Sequence, residues 1–238
     1  MLQAIWFESI GSTQDYIKSH INELLDDTVV VANLQTNGRG RYGHVWHSSL
    51  KEGLYFSILK KYLNIDPLSL IVGVSLFKTI KNIYGFEPLI KWPNDIYILL
   101  EKPKKVAGIL IERSKENTII GIGVNLNQED FPQDISIMAT SLKLFSGKSV
   151  EKKYFLSTFF EAFYEDIRYF SMYGFEAFRS IINDHLLYKN KLVSANDGKV
   201  CGILKEVDKS GNIIIETNKH KMSLNAGELN SIRAQESW

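Results

Sequence analysis

Four short stretches of this 238-residue chain bring together residue types that can do chemistry. The first runs Gln35-Thr36-Asn37-Gly38-Arg39-Gly40-Arg41-Tyr42-Gly43-His44-Val45-Trp46. Its glycines let the backbone approach a ligand and present N–H groups. Arg39 and Arg41 are two of only six arginines, and each offers paired donation to carboxylate or phosphate. Such a loop suits a phosphorylated ligand, and equally a solvated turn or an RGG-like nucleic-acid contact. It is not a Walker loop, because no GK[ST] follows.

The second stretch is Lys91-Trp92-Pro93-Asn94-Asp95, where an apolar run ends at a proline. A lysine buried there needs a carboxylate or phosphate partner. Asp95 can orient a lysine or a metal-bound phosphate, or Asn94 and Asp95 can simply satisfy a tight turn. The third is Lys104-Lys105-Val106-Ala107-Gly108-Ile109-Leu110-Ile111-Glu112. Small Ala107 and Gly108 leave room for a lysine ammonium to reach a ligand and stabilise developing charge. A strand flanked by surface lysines is the plain alternative. In the fourth, Ile120-Gly121-Ile122-Gly123-Val124-Asn125-Leu126-Asn127, glycines strip one face of a strand. Something flat can pack on that face, with the Asn125 and Asn127 amides reading a polar edge, or two strands can pack closely there.

The elements that must hold these stretches are legible from periodicity and turn residues. Strands are predicted at 4–7, 28–34, 53–60, 89–92, 96–101, 106–112 and 118–125. Lys102-Pro103-Lys104 reads as a hairpin tip. Ser12 or Thr13 can cap a helix over 14–25, and a second helix over 68–83 begins after Pro67 and stops at Gly85. Helices rich in aromatics follow at 150–170 and 175–188. From Lys189 the texture changes to short β segments at 192–195, 199–207, 213–216, 221–224 and 229–233, which suggest a small SH3-like barrel. The reading is α+β, with a mixed-sheet domain at 1–188 and a C-terminal barrel at 189–238.

Composition excludes several classes. Twenty-eight basic and 27 acidic residues give a net charge of +1, too weak a field for bulk attraction to nucleic acid or an anionic membrane. One cysteine, Cys201, allows neither an internal disulfide framework nor a multi-cysteine zinc site and suits a reducing compartment. Cys201 is expected in a buried strand position. The longest apolar run, 67–74, is too short to span a membrane, and no secretory signal is visible at the start. The expectation is a cytoplasmic protein with no DNA and no membrane partner.

Taken together, the four stretches resemble the biotin–protein ligase family, and the match runs from Ser12 to Arg233. Residues 38–46 are similar to that family's GRGRxGRxW signature, 91–95 to KWPND, 105–112 to KxxGILxE and 121–125 to GxGxN. The resemblance implies the fold read above, with ATP, biotin and Mg as substrates and cofactor. It also implies a two-step reaction: biotin and Mg-ATP give biotinyl-5′-adenylate, then a lysine of a biotin carboxyl carrier protein domain takes the biotin. Lipoate or octanoate chemistry on the same scaffold is the alternative. The chain is expected to be a monomer or a homodimer.

Carried over by position, Lys105, Arg39 and Asp95 are the implied catalytic residues. Ser12, Thr13, Gln35, Gly38, Arg39, Arg41, Lys105 and Gly108 are the implied biotin contacts. Arg41, Trp46, Lys91, Asn94, Asn125 and Arg233 fall to the nucleotide, with Asp95 near Mg. Two departures stand out. His44 replaces the arginine usual in the signature, and with only eleven residues before Ser12 the helix-turn-helix of regulatory members is not expected. The loop at 36–49 is expected to be mobile without ligand and to order around the adenylate.

Overall fold

The computed structural model describes residues 3–48, 52–196, 198–218, 220–225 and 227–231. Arg233 therefore lies outside the described residues. The chain runs β1 (Gln3–Ile10), α1 (Thr13–Ser19), β2 (Thr28–Gln35), β3 (Leu54–Lys61), α2 (Leu68–Tyr84), β4 (Leu89–Lys91) and β5 (Asp95–Leu99). It continues with β6 (Pro103–Ser114), β7 (Asn117–Val124), α3 (Gln133–Ser136), α4 (Leu142–Ser146), α5 (Lys152–Tyr173) and α6 (Arg179–Asp184). Five short strands end it: β8 (Leu192–Ala195), β9 (Val200–Val207), β10 (Ile213–Glu216), β11 (Lys221–Leu224) and β12 (Leu229–Ser231).

The fold is α+β. A seven-stranded sheet has the order β1-β2-β3-β7-β6-β5-β4, and a five-stranded sheet the order β11-β10-β9-β8-β12. β1 and β2 are parallel, while β3, β7 and β6 follow antiparallel, so the larger sheet is mixed. The described pairings of the smaller sheet are all antiparallel. By compactness the chain divides into Met1–Ile65 with Ile98–Ser157, and Asp66–Tyr97 with Thr158–Trp238.

In the first unit β7 is the middle strand of the larger sheet and is buried along its whole length. An unbroken apolar and glycine run fits a strand covered on both faces. Ile17 of α1 packs with Leu24, Val30, Leu59 and Ile119, and Ile5, Phe7, Tyr16 and Ile21 close around them. Each fully buried aliphatic there contributes roughly 1.5–3 kcal/mol. α1 is shorter than its apolar spacing predicts. Ser19 Oγ donates to Tyr16 O at 3.0 Å, and His20 Nδ1 also lies 2.9 Å from that oxygen. They share that carbonyl with His20 N, which bonds Tyr16 O and Ile17 O at 3.2 Å each and closes the helix. The expected hairpin tip is displaced too, with Pro103 and Lys104 already inside β6.

In the second unit α2 ends as expected at Gly85, whose φ of 78° forms a left-handed cap donating to Lys81 O at 2.9 Å. The helix predicted over 175–188 is instead a 3-10 turn at Phe175–Phe178 followed by α6. The chain then leaves the helix because Ile90 donates to His185 O and Leu187 to Ile90 O, both at 2.9 Å. Cys201 corrects another expectation: it is exposed. On β9 the inward positions nearest it are Val200, Gly202 and Leu204, so alternation turns Cys201 outward. Among the described residues no helix is long and apolar enough to cross a membrane.

Glu87 gives this unit an acid-side signature. Lys81 Nζ lies 2.6 Å from Oε1 and His185 Nε2 2.9 Å from Oε2. Hydrogen bonding by Lys81, then by His185, holds the carboxyl at about 2, below its ordinary value of 4.5. Because the folded value is depressed, the contribution is present above pH 4.5 and lost as pH falls towards 2. The difference in denaturation midpoint between wild type and Glu87→Gln should shrink through that window. A difference constant from pH 6 to pH 2 would refute the assignment.

Candidate active site

The polar end of the first unit is built where the parallel strands β1 and β2 finish side by side, Ile10 facing Gln35. Thr36 donates to Ile10 O at 2.9 Å and Asn37 to Gly11 O at 2.8 Å, which extends the pairing into the loop. Ser12 caps α1, its oxygen accepting from Asp15 N at 3.4 Å. Thr13 donates to Gln35 Oε1 twice, from N at 2.9 Å and from Oγ1 at 3.1 Å, and Oγ1 meets Ser57 Oγ at 2.7 Å. The Gln35 carbonyl is thus fixed, and its Nε2 lies against Gly38. Ser12 and Thr13 are buried, so their hydroxyls form a nearly dry wall. Ser57 was not singled out in the sequence; its burial within an apolar strand is the signal that finds it.

The loop that follows is closed at its neck. Trp46 N donates to Gly38 O at 2.9 Å, Gly40 N to His44 O at 2.7 Å, and Arg39 and Val45 form a β-bridge. A 3-10 turn at Arg41–Gly43 makes the tip, with Tyr42 at φ 53°. Arg41 donates to Tyr42 OH at 2.9 Å and places its guanidinium 4.8 Å from that ring. Arg39 turns elsewhere, to Asp15 and to Glu112.

Trp46 is where the loop meets the sheet. Gly108 of β6 and Gly123 of β7 are directly paired. A Cβ on Gly123 would come within 2.4 Å of the Trp46 indole, and one on Gly108 within 2.7 Å. The flat group on the glycine face is therefore the chain's own indole. Gly121 makes the same kind of room for Gln14, whose Nε2 donates to Leu110 O at 3.2 Å. Lys105 Nζ stands 5.2 Å from the Trp46 ring and 3.0 Å from where a Gly108 Cβ would be.

The backbone of Lys105 is held firmly. Its N–H donates to Met138 O at 2.8 Å, and its carbonyl accepts from Thr140 N at 3.0 Å and Asn125 Nδ2 at 3.4 Å. Asn125 also donates to Thr140 O at 3.1 Å and accepts from Gln128 Nε2 at 3.2 Å. Its amide is spent on fixing the Lys105 strand, a duty that the sequence did not suggest. The segment at 136–140 and Gln128 were likewise missed. The structure brings Ser12, Thr13, Gln35, Gly38, Arg39, Arg41, Trp46, Lys105, Gly108 and Asn125 into one unit.

Lys91, Asn94 and Asp95 belong to the second unit. Lys91 and Asp95 pair across the turn between β4 and β5, and Asn94 N donates to Lys91 O at 3.2 Å. Trp92 is buried and donates from Nε1 to Gly211 O at 2.9 Å. Lys91 Nζ lies 5.4 Å from the Tyr97 ring. Burial pushes the Tyr97 hydroxyl well above its ordinary range, and the charges of Asp95, Tyr188 and Glu228 add to that. Asp95 and Glu228 thus share an electrostatic neighbourhood.

Acceptor-lined hydroxyls, a closed glycine–arginine loop and a lysine beside a half-buried indole are the parts of an acyl-activating ligase. The family profile described as "Biotin/lipoate A/B protein ligase family" matches residues 6–128. The chain belongs to this family, and within it to the biotin–protein ligases. It is 31% identical over 229 residues to the bifunctional ligase/repressor BirA of Bacillus subtilis, covering 90% of this chain and 70% of that protein. It is 30% identical over 126 residues to the biotin–[acetyl-CoA-carboxylase] ligase of Mycobacterium tuberculosis, half of this chain and 46% of that one. The biotin protein ligase of Aquifex aeolicus, solved in complex with biotin and ATP, superimposes with a TM-score of 0.89 at 33% identity, covering 98% of this chain and all of that one.

Proposed function

We propose that this biotin–protein ligase works in two steps with the residues of the first unit at its centre. A biotin carboxylate oxygen attacks the α-phosphorus of ATP, and pyrophosphate leaves. The amine of an acceptor lysine then attacks the acyl carbon, a proton is lost and AMP leaves. A free carboxylate is a poor acyl donor, and the first step supplies its leaving group. The acceptor is a lysine of a biotin carboxyl carrier protein domain.

The observation that carries this reading is the meeting of Lys105 with the glycine–indole surface beside the Ser12–Thr13–Gln35 wall. The hydroxyls and amide suit a ureido ring, which donates two N–H groups and accepts at one oxygen. Gly38 and Gly108 are assigned to biotin on resemblance alone, and both lie against Trp46. Lys105 would stand between the carboxylate and the α-phosphate and stabilise charge as the bond forms. Arg41 and Trp46 fall to the nucleotide side. Arg39 contributes through the loop it holds, since its guanidinium faces carboxylates. Lys91, Asn94, Asn125 and Arg233 are assigned to nucleotide binding on resemblance alone.

Among the described residues no three His, Cys, Asp or Glu side chains converge into a metal cluster. One carboxylate with substrate phosphates is an ordinary magnesium arrangement, so Asp95 fits an ion that arrives with ATP. Magnesium would neutralise phosphate charge there.

Pyrophosphate release from Mg-ATP, with biotin, lipoate or octanoate supplied separately, tests the reading. Release with biotin alone, and a retained mass of biotinyl-adenylate, is expected. Release only with lipoate or octanoate would overturn it.

A further inference from the structure

We infer that Asp15 and Glu112 form an ionic latch on Arg39 and act as positioning residues for retention of the activated acid. Arg39 sits in the neck of the loop, opposite Val45 in the β-bridge. Its guanidinium pairs with Asp15 on α1 and stands 3.6 Å from Glu112 Oε2 on β6. Lys18, one turn further along α1, pairs with the other Glu112 oxygen at 2.8 Å. Asp15, Arg39, Glu112 and Lys18 therefore form an alternating chain of charges that ties the loop to α1 and to β6. Networks of this kind hold geometry better than isolated surface pairs do.

The latch has a direction. Arg39 Nε and Glu112 Oε2 are both buried, and neither has a hydrogen-bond partner. Arg39 Nη2 stands 3.6 Å from Glu112 Oε2, so a shift of less than an ångström would turn that ion pair into a hydrogen bond and the neck can still tighten. The neck in turn places Gly38 O against Trp46 N and the indole on the Gly108–Gly123 pair. The two carboxylates touch no reacting atom. They act through Arg39 on the wall that keeps an acyl-adenylate from water.

The test uses the full chain. In ligand-free protein, trypsin cleavage after Arg41 should rise at least threefold in Glu112→Gln and in Asp15→Asn, with no cuts outside the loop. Arg39→Met should behave alike, and Arg39→Met combined with Glu112→Gln should be no faster, because one latch is being opened. Salt at 0.5 M should speed cutting of wild type and leave the variants unchanged. The second readout rests on the proposed function. In Glu112→Gln and in Asp15→Asn, release of bound biotinyl-adenylate should quicken at least fivefold, while its rate of formation stays within twofold. Wild-type cutting in both carboxylate variants, or additive effects in the double variant, would overturn the latch. A wild type that forms no adenylate would defeat the ligase reading, and the ligand-free cutting rates would still decide the latch.

Discussion

Replacing Lys105 with alanine should cut biotinyl-adenylate formation by about 100-fold, and at minimum tenfold, with the fold intact. Removing a single preorganised donor from developing negative charge typically costs on the order of 10²–10³ in rate. Lys105 fits that role because its backbone is fixed and its ammonium stands beside the glycine–indole surface. Met138, Thr140 and Asn125 all bond the main chain, and those bonds survive the substitution. The side chain itself contributes little stability. Its contact with the Trp46 ring at 5.2 Å is worth roughly 0.5–1 kcal/mol. The expected result is therefore a melting temperature within a few degrees of wild type, kcat reduced far more than KM is raised, and partial recovery in Lys105→Arg. Wild-type turnover in Lys105→Ala would remove the role assigned here.

The extent to which the site was legible differs residue by residue. Lys105, Gly108 and Gly123 stood out because small residues beside a lysine, or alternating along a strand, have few structural excuses. What filled the glycine face was not legible. Trp46 is 62 residues from Gly108 and 77 from Gly123, and no local pattern announces such a contact. Asn125 shows the opposite problem. Its residue type suggested a ligand contact, yet partners at 105, 128 and 140 take up its amide. Asp15 on a helix is an ordinary surface choice, and Glu112, although it closes the KxxGILxE stretch, carries no hint of its partner. They acquire meaning only from where the arginine loop folds back.

Secondary structure followed the same logic. β2, α2 and the C-terminal strands were marked by local periodicity and turn residues, and they lie within a residue or two of the expected bounds. The failures occurred where distant groups compete for the backbone. The stretch after α6 has helical spacing, but β4 offers it paired hydrogen bonds at Ile90. Trp92 had a motif to identify it and no hint of its partner, Gly211, more than a hundred residues on. Long-range hydrogen bonds of this kind are tertiary facts, and periodicity within a window does not contain them.

Substituting Gly123 should damage the site almost as much as losing Lys105, by a wholly different route. A methyl added there would lie 2.4 Å from Trp46 Cε2 and 2.6 Å from Cζ2. An indole is stiff, so the ring itself must move, and the β-pairing of Gly123 with Gly108 and with Tyr55 prevents the strand from yielding. Overpacking of this sort costs about 1–3 kcal/mol. Gly123→Val should therefore lower the denaturation midpoint, alter indole fluorescence and reduce biotin-dependent pyrophosphate release by at least 30-fold. Unlike Lys105→Ala, it should raise KM as well as lower kcat, because the wall of the pocket is displaced. The deciding comparison adds Trp46→Ala. If steric conflict with the indole is the cause, the double variant regains most of the lost stability while activity stays low, since the wall is then missing altogether. Stability losses that simply add would show that Gly123 matters for some reason other than the ring that rests on it.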